Sequence, residues 1–127
     1  MEKSFAYTVL AVDDDPAMLD VVSKYLMTRG LRVVGISDPE SVLAVASKEK
    51  PRLIITDIAM PGLSGLALLK KLKEDPATSD IPVILLTSSK SGDDVREGLN
   101  SGAEAYLVKP IDWDTDWPKI QAILLRS

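Results

Sequence analysis

Acidic, hydroxyl and basic side chains stand directly after four short apolar runs of this 127-residue sequence. They are Asp13 and Asp14 after Val-Leu-Ala-Val, Asp57 after Leu-Ile-Ile-Thr, Thr87 after Val-Ile-Leu-Leu, and Lys109 after Tyr-Leu-Val. If these runs are parallel strands of one open sheet, their carboxyl ends share an edge, and the side chains converge on one pocket. Carboxylates, a hydroxyl and an ammonium in one pocket suit a metal ion and a phosphoryl group.

Three carboxylates in a half-buried pocket repel one another unless a proton or a cation is present. The sequence has neither histidine nor cysteine, and a site of oxygen ligands selects Mg²⁺ before Ca²⁺; we nominate the Ala59 carbonyl as a main-chain ligand. An aspartate beside such an ion can attack phosphorus and form an aspartyl phosphate. Asp57 is the best candidate nucleophile, because the adjacent pair Asp13 and Asp14 is better suited to holding the ion. Asp15, which precedes a proline, is most simply a helix N-cap.

The elements that must position these residues follow from the apolar pattern. Five runs are apolar on both faces, as strands covered by helices on two sides should be; they are Thr8–Val12, Leu31–Ile36, Leu53–Thr56, Val83–Leu86 and Ala105–Val108. Helical spacing and caps between them predict five helices; these are Pro16–Arg29, one opening at Asp38-Pro39, Gly65–Glu74, Asp93–Ser101, and a last one beginning near Asp116–Pro118. The alternation predicts a flavodoxin-like, doubly wound α/β fold with strand order 2-1-3-4-5.

The last two helices carry unusual residues. In the fourth, Val95 and Leu99 are the predicted apolar anchors, and Gly98 costs about 1 kcal/mol relative to alanine. The start of the fifth is placed late because a proline inside a helix loses a hydrogen bond. Trp117 has the spacing of a core residue, whereas Trp113 is interpreted as an exposed anchor for a partner protein.

Composition limits the remaining possibilities. With 46% hydrophobic and 27% charged residues, the chain is predicted to form a single domain over residues 1–127. No apolar run approaches the roughly 20 residues of a membrane helix and no secretory signal opens the sequence, so we expect a cytoplasmic location away from membranes. The net charge of −4, without a dense basic stripe, argues against nucleic-acid binding by this chain.

Taken together, four segments resemble the receiver domains of two-component response regulators of the single-domain, chemotaxis type. The segments are Val12–Pro16, Asp57–Gly65, Leu86–Ser88 and Gly102–Pro110. The resemblance covers about residues 7 to 125, and the joint presence of the acid pair, Asp-x-x-Met-Pro-x-x-x-Gly, the threonine and Lys-Pro is specific. It departs from the family pattern only at the entry to the last helix.

The resemblance implies a role for each pocket residue. Asp13 and Asp14 would be the acidic pair that binds Mg²⁺, with Mn²⁺ as a substitute, Asp57 the phosphoacceptor and a metal ligand, and Ala59 a main-chain ligand. Thr87 would be the hydroxyl that moves onto the phosphoryl group, Lys109 its ion-pair partner, and Tyr106 the switch aromatic that turns inward when Thr87 moves. The small side chains of Ala59 and Ser89 are expected to leave a path for water to the phosphate.

The resemblance also implies partners. A histidine kinase, a phosphotransfer protein or a small phosphodonor would supply the phosphoryl group, and the face of the fourth helix, fifth strand and fifth helix would bind an output protein or a second copy. The chain would be a signalling domain that catalyses only its own phosphorylation and autodephosphorylation. The alternative is a receiver-like interaction module that works without phosphorylation. P-loop and dinucleotide motifs are absent, and alanine at position 59 replaces the second aspartate of aspartate-nucleophile phosphatases.

Overall fold

The computed structural model describes residues 7–60, 62–88 and 92–126, and within them strands and helices alternate along the chain. The strands are β1 (Thr8–Val12), β2 (Arg32–Ile36), β3 (Leu53–Asp57), β4 (Val83–Thr87) and β5 (Ala105–Val108). The helices are α1 (Pro16–Thr28), α2 (Val42–Glu49), α3 (Gly65–Glu74), α4 (Gly92–Asn100) and α5 (Trp113–Leu124). The predicted Asp38-Pro39 helix start is instead a 3₁₀ turn, Pro39–Ser41, ahead of α2. No helix in these described ranges combines the length and apolar character needed to cross a bilayer.

The sheet has the order β2-β1-β3-β4-β5, and every neighbouring pair is parallel, which confirms the predicted fold. The chain winds from β1 to one side and then crosses to β3 on the other. This reversal opens a crevice at the carboxyl ends of β1 and β3. Because Val12 pairs with Thr56, the residues that come next along the chain, Asp13 and Asp57, lie at that crevice.

The core lies in two layers, one on each face of the sheet. Successive β1 residues alternate between them, with Leu10 packing toward α2 and α3 and Val9 toward α1 and α5. The central strands β3 and β4 are buried at every position, as their apolar runs predict. The edge strands β2 and β5 are not buried on both faces, because Arg32, Gly35 and Tyr106 are exposed.

The predicted start of α5 is wrong: the helix begins at Trp113 and contains Pro118. Its first turn is held by the Asp112 carbonyl, which accepts two backbone N–H bonds at 3.1 and 2.8 Å. The Trp113 ring also stacks on Tyr25 of α1, with centroids 3.9 Å apart and planes at 11°. Because the helix continues through Pro118, packing contacts with other elements, such as the Trp113 stack on Tyr25, must offset the roughly 3 kcal/mol that an interior proline costs.

The two tryptophans pack between α1 and α5. Trp113 is therefore not the exposed partner anchor that the sequence suggested. Trp117 packs against the core, as predicted, and meets Tyr25 edge-on at 6.2 Å. The Arg29 guanidinium lies 5.2 Å from the centroids of both the Tyr25 and the Trp117 rings. These contacts hold the N-terminal half of α5 against α1.

Helix α4 packs through its glycine. Gly98 is buried, and a Cβ added there would lie 2.2 Å from Leu85 Cδ1 and 3.3 Å from Leu66 Cδ2. Leu99, a predicted anchor, is instead 41% exposed, while Val95 is half-buried. The sequence interpretation of Gly98 as a simple penalty is incomplete, because the missing side chain lets α4 approach β4 closely.

Candidate functional site

The structure brings the three predicted aspartates together at the carboxyl edge of the sheet. One carboxylate oxygen of each of Asp13, Asp14 and Asp57 lies within 4.8 Å of the others. Asp57 is the last residue of β3, and Asp13 and Asp14 directly follow β1, so the parallel register sets them side by side. Asp13 and Asp57 are buried, at 2% and 6% exposed, while Asp14 is open to solvent.

Backbone amides orient two of these carboxylates. The Asp15 N–H donates to Asp13 Oδ1 at 3.0 Å, and the Ala59 N–H donates to Asp57 Oδ1 at 3.3 Å. Asp15 itself accepts the Ala17 N–H at 3.0 Å and caps α1, as predicted. Each buried carboxylate therefore keeps its other oxygen, Oδ2, for a further partner.

That further partner is the ammonium group of Lys109. Its Nζ lies 3.0 Å from Asp13 Oδ2 and 3.2 Å from Asp57 Oδ2, and the side chain is 19% exposed. The Lys109 backbone N–H donates to the Thr87 carbonyl at 2.8 Å, which ties the lysine to the end of β4. The ammonium bridges the two buried carboxylates and balances part of their charge.

The charges of the pocket shift two pKa values. The pKa of Asp57 lies above its ordinary value of 3.8, because burial disfavours the ionised carboxylate; Lys109 opposes this rise, and the charge of Asp13 adds to it. Burial alone would lower the pKa of Lys109, but its hydrogen bond to Asp13 and the charge of Asp57 outweigh that effect and hold its pKa above 10.5. Lys109 is thus protonated at neutral pH, and Asp57 is harder to ionise than a free aspartate.

The donor set fits a hard divalent cation. Three carboxylates face one ammonium, so a net negative charge remains for a cation to balance, and only oxygen ligands are present. Ala59 is exposed and lies two residues after Asp57; its carbonyl stays a predicted ligand. The arrangement is chemically suited to Mg²⁺ with water completing the shell.

Thr87 and Tyr106 lie on the two strands farthest from Asp13. Thr87 is the last residue of β4 and is 4% exposed. Tyr106 is 41% exposed on the edge strand β5 and lines a groove of about 680 Å³ together with Leu99 and Lys119. Their switch roles stay predictions. Ser89 lies outside the described residues.

The sequence interpretation missed one buried carboxylate on the helix that follows Lys109. Asp116, in the first turn of α5, is 7% exposed. A signal was present, because Asp116 occupies a position of the helical stripe formed by Trp113, Trp117 and Ile120, where an apolar residue is expected. Placing the helix start at Asp116–Pro118 hid that stripe.

Comparison with known proteins gives a consistent result. The family model described as "Response regulator receiver domain" matches residues 9–116. Protein PilH of Pseudomonas aeruginosa is 36% identical over 116 residues, which cover 91% of this chain and 96% of PilH. The regulator RpaA of Synechocystis, described as a DNA-binding dual master transcriptional regulator, is 36% identical over 94% of this chain but only 49% of its own length.

Among solved structures, the chemotaxis response regulator CheY4 of Vibrio cholerae superposes with a TM-score of 0.83 at 32% identity, covering 91% of this chain and 97% of CheY4. The chain spans about half or less of the length of several curated relatives that it matches.

Proposed function

The chain belongs to the family of response regulator receiver domains, the phosphoacceptor modules of two-component signalling, and we propose that it accepts a phosphoryl group on Asp57 in a magnesium-dependent reaction. The observation that carries the proposal is the ammonium of Lys109, which lies 3.0 Å from Asp13 and 3.2 Å from Asp57 in a pocket of three carboxylates. Such a pocket supplies a nucleophile, a cation-binding pair and a fixed positive charge. Members of this family act as signalling domains rather than as enzymes with a separate substrate.

Each residue of the pocket has its own proposed role. Asp13, Asp14 and Asp57, with the carbonyl of Ala59, would hold Mg²⁺, and Mn²⁺ is expected to substitute. When bound, the ion supplies positive charge to the oxygens of the transferring phosphoryl group. Lys109, whose Nζ lies 3.2 Å from Asp57 Oδ2, would supply a second positive charge.

The transfer forms one bond and breaks another. A carboxylate oxygen of Asp57 attacks phosphorus, and the bond from phosphorus to the donor breaks, with its electron pair leaving on the imidazole of a phosphohistidine or on the acyl oxygen of a small phosphodonor. Only the ionised carboxylate can attack, so Lys109 also favours the reactive form of Asp57 against the effect of burial. Water then attacks phosphorus, the bond between phosphorus and the Asp57 oxygen breaks with its electron pair returning to the carboxylate, and inorganic phosphate leaves; this is the expected autodephosphorylation.

Phosphorylation would switch a surface. The new group carries about −1.5 to −2 charges and three acceptor oxygens, which give the Thr87 hydroxyl a partner. Tyr106 would then turn inward and reshape the α4-β5-α5 face, defined by Leu99, Tyr106 and Lys119. This face is the proposed contact for an output protein or a second copy, and a histidine kinase or phosphotransfer protein is the proposed donor. A cytoplasmic location stays a prediction that cell fractionation would test.

The decisive experiment is phosphorylation by acetyl phosphate in Mg²⁺, followed by intact-protein mass spectrometry. Wild type should gain the mass of one phosphoryl group, hydroxylamine should remove it, and chelator should prevent the gain. Asp57→Asn should gain nothing, whereas Asp15→Asn, which keeps the N-cap, should behave as wild type. A wild-type protein that gains no phosphate would favour the alternative of a phosphorylation-independent interaction module.

A further inference from the structure

Asp116 is a buried carboxylate that the proposed chemistry does not use. Its Oδ2 accepts the backbone N–H of Asp112 at 3.2 Å, and its own N–H donates to the Asp112 carbonyl at 2.8 Å. Among the described residues its ion-pair partner is Lys119, whose Nζ lies 3.6 Å from Asp116 Oδ1 and whose side chain is half-exposed. Burying a carboxylate with so few partners costs free energy, and an apolar side chain in this stripe would not incur that cost.

Asp116 holds Asp112, which lies at the end of the segment that follows Lys109. On its near side, the Lys109 backbone is fixed by the 2.8 Å bond to the Thr87 carbonyl. On its far side, three residues later, Asp112 is fixed by the reciprocal pair of bonds with Asp116. Trp113, the next residue, is held by its stack on Tyr25. The segment carrying the lysine is therefore held from both ends.

From these contacts we infer that Asp116 is a positioning residue for phosphoryl transfer: it fixes the segment between Lys109 and α5, and thereby the place of the Lys109 ammonium between Asp13 and Asp57. The inference rests on the proposed function, because it assigns Asp116 a part in the same reaction. Asp116 acts through Lys109. Its hydrogen-bond acceptor does the positioning, since the bond to Asp112 involves a neutral donor.

Two variants separate the hydrogen-bond acceptor of Asp116 from its charge. Asp116→Asn keeps a carbonyl oxygen that can accept the Asp112 N–H, so it should phosphorylate within about twofold of wild type. Asp116→Leu suits the apolar stripe and removes the acceptor, so it should melt no lower than wild type yet phosphorylate about tenfold more slowly; misplacing a group by about 1 Å can cost about 100-fold. Thr115→Ala is the matched control, because it removes the neighbouring 3.0 Å bond to the Asp112 side chain and leaves Asp116 in place.

The experiment measures the initial rate of Asp57 phosphorylation by acetyl phosphate at saturating Mg²⁺, with thermal melts of every variant. Lys109→Ala and the double variant Lys109→Ala/Asp116→Leu complete a double-mutant cycle. If Asp116 acts through the lysine, the Leu substitution should slow the wild type but cause no further loss once Lys109 is gone. Asp116→Ala replaces the Leu variant if the latter does not fold.

Three results would overturn the inference while leaving the proposed function intact. They are a wild-type rate in Asp116→Leu, an equal loss in Asp116→Asn and Asp116→Leu, and an undiminished effect of the Leu substitution in the Lys109→Ala background. If wild type itself gains no phosphate, the proposed function fails and the inference fails with it.

Discussion

The role proposed for Asp57 makes conflicting demands, since attack on phosphorus would need the ionised carboxylate and burial favours the neutral acid. Two contacts in the pocket partly resolve this conflict. Lys109 Nζ lies 3.2 Å from Asp57 Oδ2, and the Ala59 N–H bonds the other oxygen at 3.3 Å. Both contacts favour the ionised form, yet the pKa of Asp57 still lies above 3.8. Without metal, the folded protein therefore bears a cost for keeping Asp57 charged.

This cost predicts a pH dependence of stability in chelator. Because the folded-state pKa of Asp57 is raised, the folded chain binds a proton more readily than the unfolded chain. The contribution of Asp57 to the free energy of unfolding should rise as the pH falls from 7 through the raised pKa toward 3.8. Asp57→Asn mimics the neutral acid, so at pH 7 it should be more stable than wild type, and the difference should shrink at pH 5.

Urea melts of both proteins at the two pH values, in chelator, check the prediction. Other titrating groups are common to the two proteins and largely cancel in the difference. Lys109 stays protonated across this range, since its pKa lies above 10.5. A difference that stays constant or widens as the pH falls would contradict the raised pKa of Asp57.

At the scale of elements, most strands and helices were predictable because their signals are local. Apolar runs bounded by polar residues predicted β1 and β5 with their observed bounds. Helical spacing likewise predicted both ends of α3. The meeting of Asp13 and Asp57 was also predictable, because a parallel sheet places the carboxyl ends of its strands on one edge. These features depend on the periodicity of apolar residues and on the order of strands and helices, and both can be read from a single sequence.

The failures share a different cause, which is packing between elements. Pro118 suggested a late start for α5, but stacking of Trp113 on Tyr25 and the bonds around Asp112 support an earlier one. Asp116 escaped notice because its partner becomes evident only when the first turn of α5 is present. Gly98 was read as a propensity cost, since no local pattern shows how near Leu85 lies.

Gly98 provides a test at this scale, because helix propensity and packing predict opposite effects of Gly98→Ala on the free energy of unfolding. Helix propensity alone says that Gly98→Ala stabilises α4 by about 1 kcal/mol. The added Cβ would lie 2.2 Å from Leu85 Cδ1, and Leu85 is fully buried; forcing a methyl into a packed core typically costs about 1–3 kcal/mol. We expect Gly98→Ala to lower the free energy of unfolding in urea melts by up to about 2 kcal/mol.

A shortened Leu85 is the control for that test. In the background of Leu85→Ala the space is free, so Gly98→Ala should become neutral or stabilising, and the sign of its effect should change. Stabilisation by Gly98→Ala in the wild-type background would mean that α4 does not pack as closely on β4 as described.

At the scale of the whole molecule, the site exists only when the sheet is complete. Asp13 and Lys109 lie 96 residues apart along the chain, yet their side chains are 3.0 Å apart. The three carboxylates come from the ends of β1 and β3, and the lysine from the end of β5. The unfolded chain therefore has no comparable cation site, and a cation that binds the folded pocket must stabilise the entire fold.

Mg²⁺ should accordingly raise the stability of wild type, by about 1.4 kcal/mol at ten times its dissociation constant for one site. Asp57→Asn lacks one carboxylate and should gain less, so the order seen in chelator at pH 7, variant above wild type, should reverse as Mg²⁺ is added. Thermal and urea melts across a magnesium titration measure both effects without any phosphodonor. A wild-type melting curve that does not shift even at tens of millimolar Mg²⁺ would rule out a working cation site. An increase of equal size in wild type and Asp57→Asn would instead remove Asp57 from the ligands, because the loss of a ligand weakens cation binding and therefore reduces the stabilisation that the cation gives.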